Sequence, residues 1–318
     1  MTAKEANQVN VNQLIKEGLI AAEKAMFDVT NSDVEVLRDA SHHILNAGGK
    51  RVRPRLLLLA YLALGGTDIN YIAKPAAAIE LMHTASVVHD DINDHGVMRR
   101  GRPSVNSIWG RTFALLTGDF LFTAVYELMS SYKDLNIDLA QSATALVEGE
   151  TLQASAVKEN NFTRETYMRI ISLKTAALFR AAGAIGAKLT NATQAEIDAL
   201  ANFGFNIGLA FQITDDILDI IADEETLGKT AGIDVEQGRG IGVALQEANG
   251  GNGKAVAVKD DPVESIKRKM LEGDTIEKGR EQAQQLVDMA IMSLSVIPDS
   301  EAKTELIDLA NLVINRNH

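Results

Sequence analysis

The sequence predicts an all-α protein of roughly ten or more helices, and three observations carry that prediction. Long stretches are rich in helix-compatible residues and lack the alternation of a half-buried strand. Aromatic residues make up only 5% of the 318 residues. Runs of valine, isoleucine and threonine bounded by turn residues are scarce.

The elements follow in order. "LLLLAYLAL", from Leu56 to Leu64, is the longest apolar run and has nine residues, short of the roughly 18 that span a bilayer. "IAKPAAAIELMHTASVVHDDIND" reads as one helix rich in alanine and leucine. "TRETYMRIISLKTAALFRAAGAIGAKL" reads as another, opened by Thr163 with Thr166 nearby and Glu165 in the first turn. "TQAEIDALANFGFNIGLAFQITDDILDIIAD" is a third, with Thr193 as its N-cap, and "PDSEAKTELIDLANLVINRN" is the last. Gly48-Gly49, Gly65-Gly66 and "HGVMRRGRP" punctuate the first half as loops. The least regular stretch, Gly238 to Pro262, could form a mobile loop or a short hairpin. Length alone suggests about two domains. No linker or 20-to-50-residue repeat divides the chain, however, so a single domain over 1–318 is expected.

Composition excludes several function classes. The chain has 31 basic and 43 acidic residues, for a net charge of −12. Nucleic-acid binding needs the opposite balance, because phosphate contacts consume lysine and arginine. There is no cysteine, which rules out disulfides and thiolate metal sites. The N-terminal stretch lacks an apolar signal core. A cytoplasmic protein with no transmembrane segment is expected.

The chemistry-bearing pattern is an echo: "DDIND" at 90–94 and "DDILD" at 215–219. Residues four apart share a helix face, so Asp90 projects with Asp94 and Asp215 with Asp219, while Asp216 lies on a neighbouring part of the stripe. Such oxygen ligands suit Mg²⁺, which is held by one or two carboxylates plus substrate phosphates. One such pentad is common on a solvated helix surface. Two copies, each on the C-terminal part of an apolar helix, would repel themselves unless a cation compensates them. Positive residues cluster nearby in sequence. Arg99 and Arg100 follow the first pentad, and "GGKRVRP" sets Lys50, Arg51 and Arg53 beside two glycines. Arginine's planar fork suits phosphate oxygens. Taken singly, each basic cluster also fits ordinary solubility, and a lysine in an apolar helix, such as Lys174, often just snorkels to water. Gln212 joins the second aspartate stripe. His83 lies two turns before Asp90 and reads as a hydrogen-bond donor to an anion. No zinc spacing, serine–histidine–acid set, Walker loop or dinucleotide fingerprint stands out. These features point to an oligophosphate substrate in a pocket whose apolar walls suit a hydrocarbon tail and exclude water.

The ordered motifs "GGKRVRP", "HTASVVHDDINDHGVMRRGRPSVN", "VEGETLQ", "LKTAALF", "FGFNIGLAFQITDDILD" and "LGKTAGIDVEQG" cover nearly the whole chain. They resemble the trans-isoprenyl diphosphate synthases, of the all-trans polyprenyl group. The resemblance implies an isoprenoid-synthase-type bundle of antiparallel helices around a deep cavity, usually as a homodimer. It implies condensation of isopentenyl diphosphate with an allylic diphosphate by ionisation, condensation and elimination, with two to three Mg²⁺ per site. Asp90 and Asp94, supported by Asp91, would hold Mg²⁺ from one wall, and Asp215, Asp216 and Asp219 from the other. Arg99, Lys174, Thr175, Gln212 and Lys229 would contact the allylic diphosphate. Lys50, Arg53, His83 and Arg100 would contact isopentenyl diphosphate.

In this family cavity depth sets product length. Ser86 and Ala85, four and five residues before the first aspartate, are small where short-chain enzymes carry aromatics. A product of about C25–C40 is expected, with Met82 one turn deeper as the candidate lower wall. A farnesyl or geranylgeranyl product is the alternative. The segment after "GIDVEQG" departs from the family: Arg239 replaces a lysine, and the following threonine and proline are missing. Dependence on an accessory subunit in a two-component synthase is therefore a further alternative.

Overall fold

In a computed structural model the described residues are 10–159, 163–237 and 275–315, and the side chains at 219–220, 222–237 and 275 lie outside the description. The atypical segment around Arg239 to Pro262 falls outside these residues. The described elements are α1 (Val11–Val29), α2 (Glu35–Asn46), α3 (Val52–Ala63), α4 (Ile69–Asn93), β1 (Met98–Arg99) and β2 (Arg102–Pro103). They continue with α5 (Val105–Met129), α6 (Leu135–Glu159), α7 (Arg164–Ile171), α8 (Ala177–Lys188), α9 (Gln194–Gln237), α10 (Thr275–Ser293) and α11 (Glu301–Ile314).

The predicted all-α class holds, and the core explains it. Leu56 to Ala60 on α3 are fully buried, because a helix that is apolar on every side has to sit inside the bundle. α3 packs against α8, α4, α11 and α1, while α4 lies along α5. α8 and α9 approach almost backbone to backbone. A Cβ at Gly183 would stand 2.1 Å from the Leu200 carbonyl oxygen, and one at Gly204 would stand 2.2 Å from that of Phe179.

The predicted caps form. Thr163 accepts from the Thr166 amide at 3.1 Å, and Thr193 and Glu196 close a reciprocal capping box. α4 begins a turn earlier than its apolar pattern, where Asp68 accepts from the Tyr71 amide, and it carries Pro75 internally.

Two local readings need correction. "HGVMRRGRP" is not merely a loop, for Met98 and Arg99 pair antiparallel with Pro103 and Arg102. The turn residues Arg100 and Gly101 have φ of 50° and 73°, the pair of positive angles that a two-residue hairpin requires. The helix predicted from Thr163 onward is interrupted at Ser172–Ala176 by a π turn, a local insertion common at functional sites.

By length and composition, Val105–Met129 and Arg164–Lys188 are apolar enough to cross a membrane. The second is a core helix, with 72% of its apolar window buried. The first is interrupted at Gly110 by non-helical angles.

Candidate active site

A cavity of about 480 Å³ opens among α4, α6, the α7–α8 segment and α9. Asp90 and Asp94 line it from α4, and Asp215 and Asp216 line it from α9. The two pentads, 125 residues apart in sequence, thus meet in one space. Lys174 enters from the π turn. Its Nζ lies 2.7 Å from Glu150 Oε1 and 3.8 Å from Asp90 Oδ1, and it donates to Gln153 Oε1 at 3.3 Å. Burial would lower the Lys174 pKa, but the Asp90 and Glu150 carboxylates outweigh it and hold the ammonium above its usual value. Burial pushes Asp90 up to about 7, and the nearby Glu150 and Asp94 carboxylates add to the rise against the pull of Lys174.

Below this group runs a hydrogen-bonded chain. The Thr175 hydroxyl donates to Gln212 Oε1 at 2.9 Å. Gln212 Nε2 donates to Asp216 Oδ1 at 3.0 Å, and the Tyr167 hydroxyl donates to Asp216 Oδ2 at 2.6 Å. Both oxygens of Asp216 are therefore oriented before any ligand arrives. Burial, then Asp216, hold the Tyr167 hydroxyl firmly protonated.

A second cavity, of about 350 Å³, adjoins the first and shares Arg53, His83, Arg100, Phe211 and Asp215 with it. Lys50, Arg51 and Glu80 complete its polar lining. The Arg53 guanidinium stacks 4.6 Å above the Phe179 ring, a cation–π contact that fixes its plane, and its Nε is buried without a hydrogen-bond partner. Burial, then Arg53, Arg100, Arg99 and Arg51, hold His83 well below its usual pKa. It is a neutral imidazole, able to donate one N–H to an anion. Arg99 lines the first cavity and also folds back on Asp91, with Nε and Nη2 at 3.0 and 2.7 Å from Oδ1. Asp91 is 2% exposed and is absent from the cavity lining. It anchors the arginine-bearing hairpin to the end of α4.

With that geometry in place, the likeness to known proteins is extensive. The family model described as polyprenyl synthetase matches residues 34–260. The chain belongs to the polyprenyl synthetase family. It is 33% identical over 322 residues to an octaprenyl diphosphate synthase of Escherichia coli (strain K12), covering 98% of this chain and 99% of that one. It is 36% identical over 320 residues to a short chain isoprenyl diphosphate synthase of Methanothermobacter thermautotrophicus, covering 96% and 98%. The solved polyprenyl synthase of Caulobacter crescentus, complexed with calcium and isoprenyl diphosphate, superposes with a TM-score of 0.79 at 30% identity over 97% of this chain and 98% of that one. This polyprenyl synthetase is accordingly a prenyltransferase of isoprenoid synthesis with the isoprenoid-synthase fold.

The donor set of this polyprenyl synthetase suits a divalent cation. The converging groups are carboxylate oxygens, the choice for Mg²⁺, and burial first, then the neighbouring carboxylates, make Asp90 resist ionising alone. Among the described residues no three such side chains are gathered closely enough to hold an ion by themselves.

Most predicted residues meet here, with exceptions. The side chains of Asp219 and Lys229 lie outside the described residues. Ser86 lines the first cavity, but Ala85 and Met82 do not. Ala85 is fully buried, and Met82 packs with its Sδ 3.5 Å from the Ser142 hydroxyl. Sequence reasoning gave no role to Glu150, Gln153, Tyr167 or Glu80. Spacing alone offers a weak signal for two pairs, since Glu80 is three before His83 and Glu150 and Gln153 are three apart within "VEGETLQ"; for Tyr167 it offers none, because the π turn lies between it and Lys174.

Proposed function

We propose that the chain, as one domain over 1–318, condenses isopentenyl diphosphate with an allylic diphosphate in a Mg²⁺-dependent reaction. The medium to long all-trans product is about C25–C40. The observation that carries this reading is the pair of adjoining cavities. One is walled by carboxylates and Lys174, the other by arginines, and they share Arg53, His83 and Arg100. Two diphosphates can then lie side by side, with their carbon ends in one space.

Asp90, Asp94, Asp215 and Asp216, with Asp219 expected alongside, would hold two to three Mg²⁺, which when bound neutralise charge developing on a departing diphosphate. Lys174, Thr175, Gln212 and Arg99, with Lys229 expected, orient the allylic diphosphate. Its C–O bond breaks to leave an allylic cation. Lys50, Arg53, His83 and Arg100 hold isopentenyl diphosphate so that its double bond attacks that cation, and the released diphosphate takes the proton then lost. Asp216 can be useful only if its oxygens stay aimed, and Tyr167 aims one of them. A hydrogen bond to a charged group contributes about 1.5–3 kcal/mol. Tyr167→Phe is therefore expected to lower activity roughly 10- to 100-fold and to raise the Mg²⁺ concentration giving half-maximal rate. A Mg²⁺ titration of rate reads both.

A homodimer is the proposed working unit. Phe113, Leu115, Leu116 and Tyr126 on α5 and Val147 on α6 are between 43% and 68% exposed, an apolar face that a second copy can cover. Cytoplasmic location is proposed with it.

A short-chain product, farnesyl or geranylgeranyl diphosphate, is the second reading. It is favoured by the Met82–Ser142 contact, which sets a packed side chain one turn below Ser86. Incubating the purified chain with Mg²⁺, isopentenyl diphosphate and allylic primers from C5 to C20, then sizing the products, separates the readings. A ladder beyond C20 supports the first, and an endpoint at C15 or C20 supports the second. No product with any primer would point to an accessory subunit.

A further inference from the structure

We propose that Glu80 is the resident counter-ion that assembles the arginine-walled cavity, acting as a positioning residue for isopentenyl diphosphate. This rests on the reading of that cavity given above. Glu80 is 2% exposed and lies on α4 three residues before His83, on the same helix face. It lines the second cavity among Lys50, Arg51, Arg53 and Arg100. Its Oε1 accepts from Arg51 Nη1 at 2.8 Å.

Arg51 is itself 8% exposed. It also reaches Glu23 Oε1 at 3.2 Å and the Leu45 carbonyl at 3.4 Å. Its backbone is left-handed, with φ of 47°, a conformation that costs energy in a non-glycine residue and persists only where the surroundings enforce it. The fork to Glu80, Glu23 and Leu45 ties the side chain down at three points. That fork fixes the turn just before Val52 and Arg53, and with it the direction from which Arg53 enters both cavities.

A buried ion pair is weak evidence of stabilisation, since apolar replacements are often neutral. Its place is better explained by what surrounds it. Several guanidinium groups cannot share a small cavity without a negative charge among them, yet the cavity has to remain open for an incoming diphosphate. Glu80 meets both demands, because it is held on the helix wall by Arg51 while the remaining cations face the open space. Asp215 supplies negative charge from the opposite wall.

The test is calorimetric titration of isopentenyl diphosphate into metal-free protein, with steady-state kinetics beside it. The native chain should bind without Mg²⁺. Glu80→Gln should weaken that binding about 10-fold or more and raise KM for isopentenyl diphosphate to match. KM for the allylic substrate should stay within about 2-fold, and Glu80→Asp should recover part of the loss. Arg51→Lys, which keeps the charge but loses the fork, should act in the same selective way, and it serves if Glu80→Gln does not fold. Unchanged or tighter binding in a folded variant overturns the proposal. So does a parallel loss for both substrates with a lowered Tm, the mark of a merely structural residue. Absence of binding to the native chain overturns the assignment of the cavity itself, and the proposal with it.

Discussion

Asp90→Asn is expected to abolish most of the activity, lowering kcat by about 10³-fold or more, without destabilising the protein. Asp90 stands between Lys174 and the Glu150 and Asp94 carboxylates. Asparagine keeps the shape but loses the anion proposed to draw a cation to this wall. The stability arm follows from the raised pKa. Folded Asp90 takes up its proton at about 7, above the ordinary 3.8 for aspartate, because burial and neighbouring carboxylates disfavour its charge. Between those two values the native state binds a proton that the unfolded chain has released. The native state therefore loses stability as pH rises through that window. Above pH 7 the whole penalty is in place, and asparagine removes it. In EDTA at pH 8 the variant should melt at or above the native Tm, while at pH 4 the two should converge. Thermal melts at both values, paired with a rate measurement in Mg²⁺, check the two arms separately. A drop in Tm at pH 8 would mean that the Lys174 contact matters more than the buried charge.

Ser86→Phe is expected to shorten the product to C15 or C20. Ser86 is the small residue that lines the cavity one turn below Asp90, so an aromatic ring there would fill the route a growing chain has to take. Ala85, an equally small neighbour, is fully buried and outside the lining. Ala85→Phe would instead overpack the core, costing about 1–3 kcal/mol and lowering Tm before it alters the product. Met82→Ala is the converse change, because removing a flexible side chain from the contact with Ser142 opens the space below. Product sizing of all three variants with one primer decides the matter. An unchanged product from folded Ser86→Phe would place the chain's path elsewhere.

The fold was legible because helix periodicity is a local property. The caps at Thr163 and Thr193 and the long helices around Asp90 and Asp215 each depend on residues within a turn or two. The pentads were legible because a five-residue repeat is visible without any three-dimensional knowledge. Their meeting in one cavity was not, and it came from the resemblance and then from the geometry. The partners that hold the site lay beyond reach for a related reason. Tyr167 is 49 residues from Asp216, and Arg51 is 29 from Glu80. Nothing local marks a tyrosine in a helix as the one that touches an aspartate on another. Met82, Ala85 and Ser86 illustrate a finer difficulty. A helix turns about 100° per residue, so adjacent small residues divide between a cavity wall and a packed core, and sequence spacing alone does not say which is which.

The π turn at Ser172–Ala176 acts as a rotational register for the wall it belongs to. One extra residue in a helical turn rotates all that follows by about 100° relative to an uninterrupted helix. Tyr167, before the turn, meets Asp216 in the first cavity, and Phe179, after it, lies under Arg53, which the second cavity shares with the first. The walls of the two adjoining cavities are thus phased to one another by a single surplus residue. Removing one codon there would repair the helix ladder while turning one compartment away from the other, so the change gentlest to the backbone is among the harshest for the chemistry.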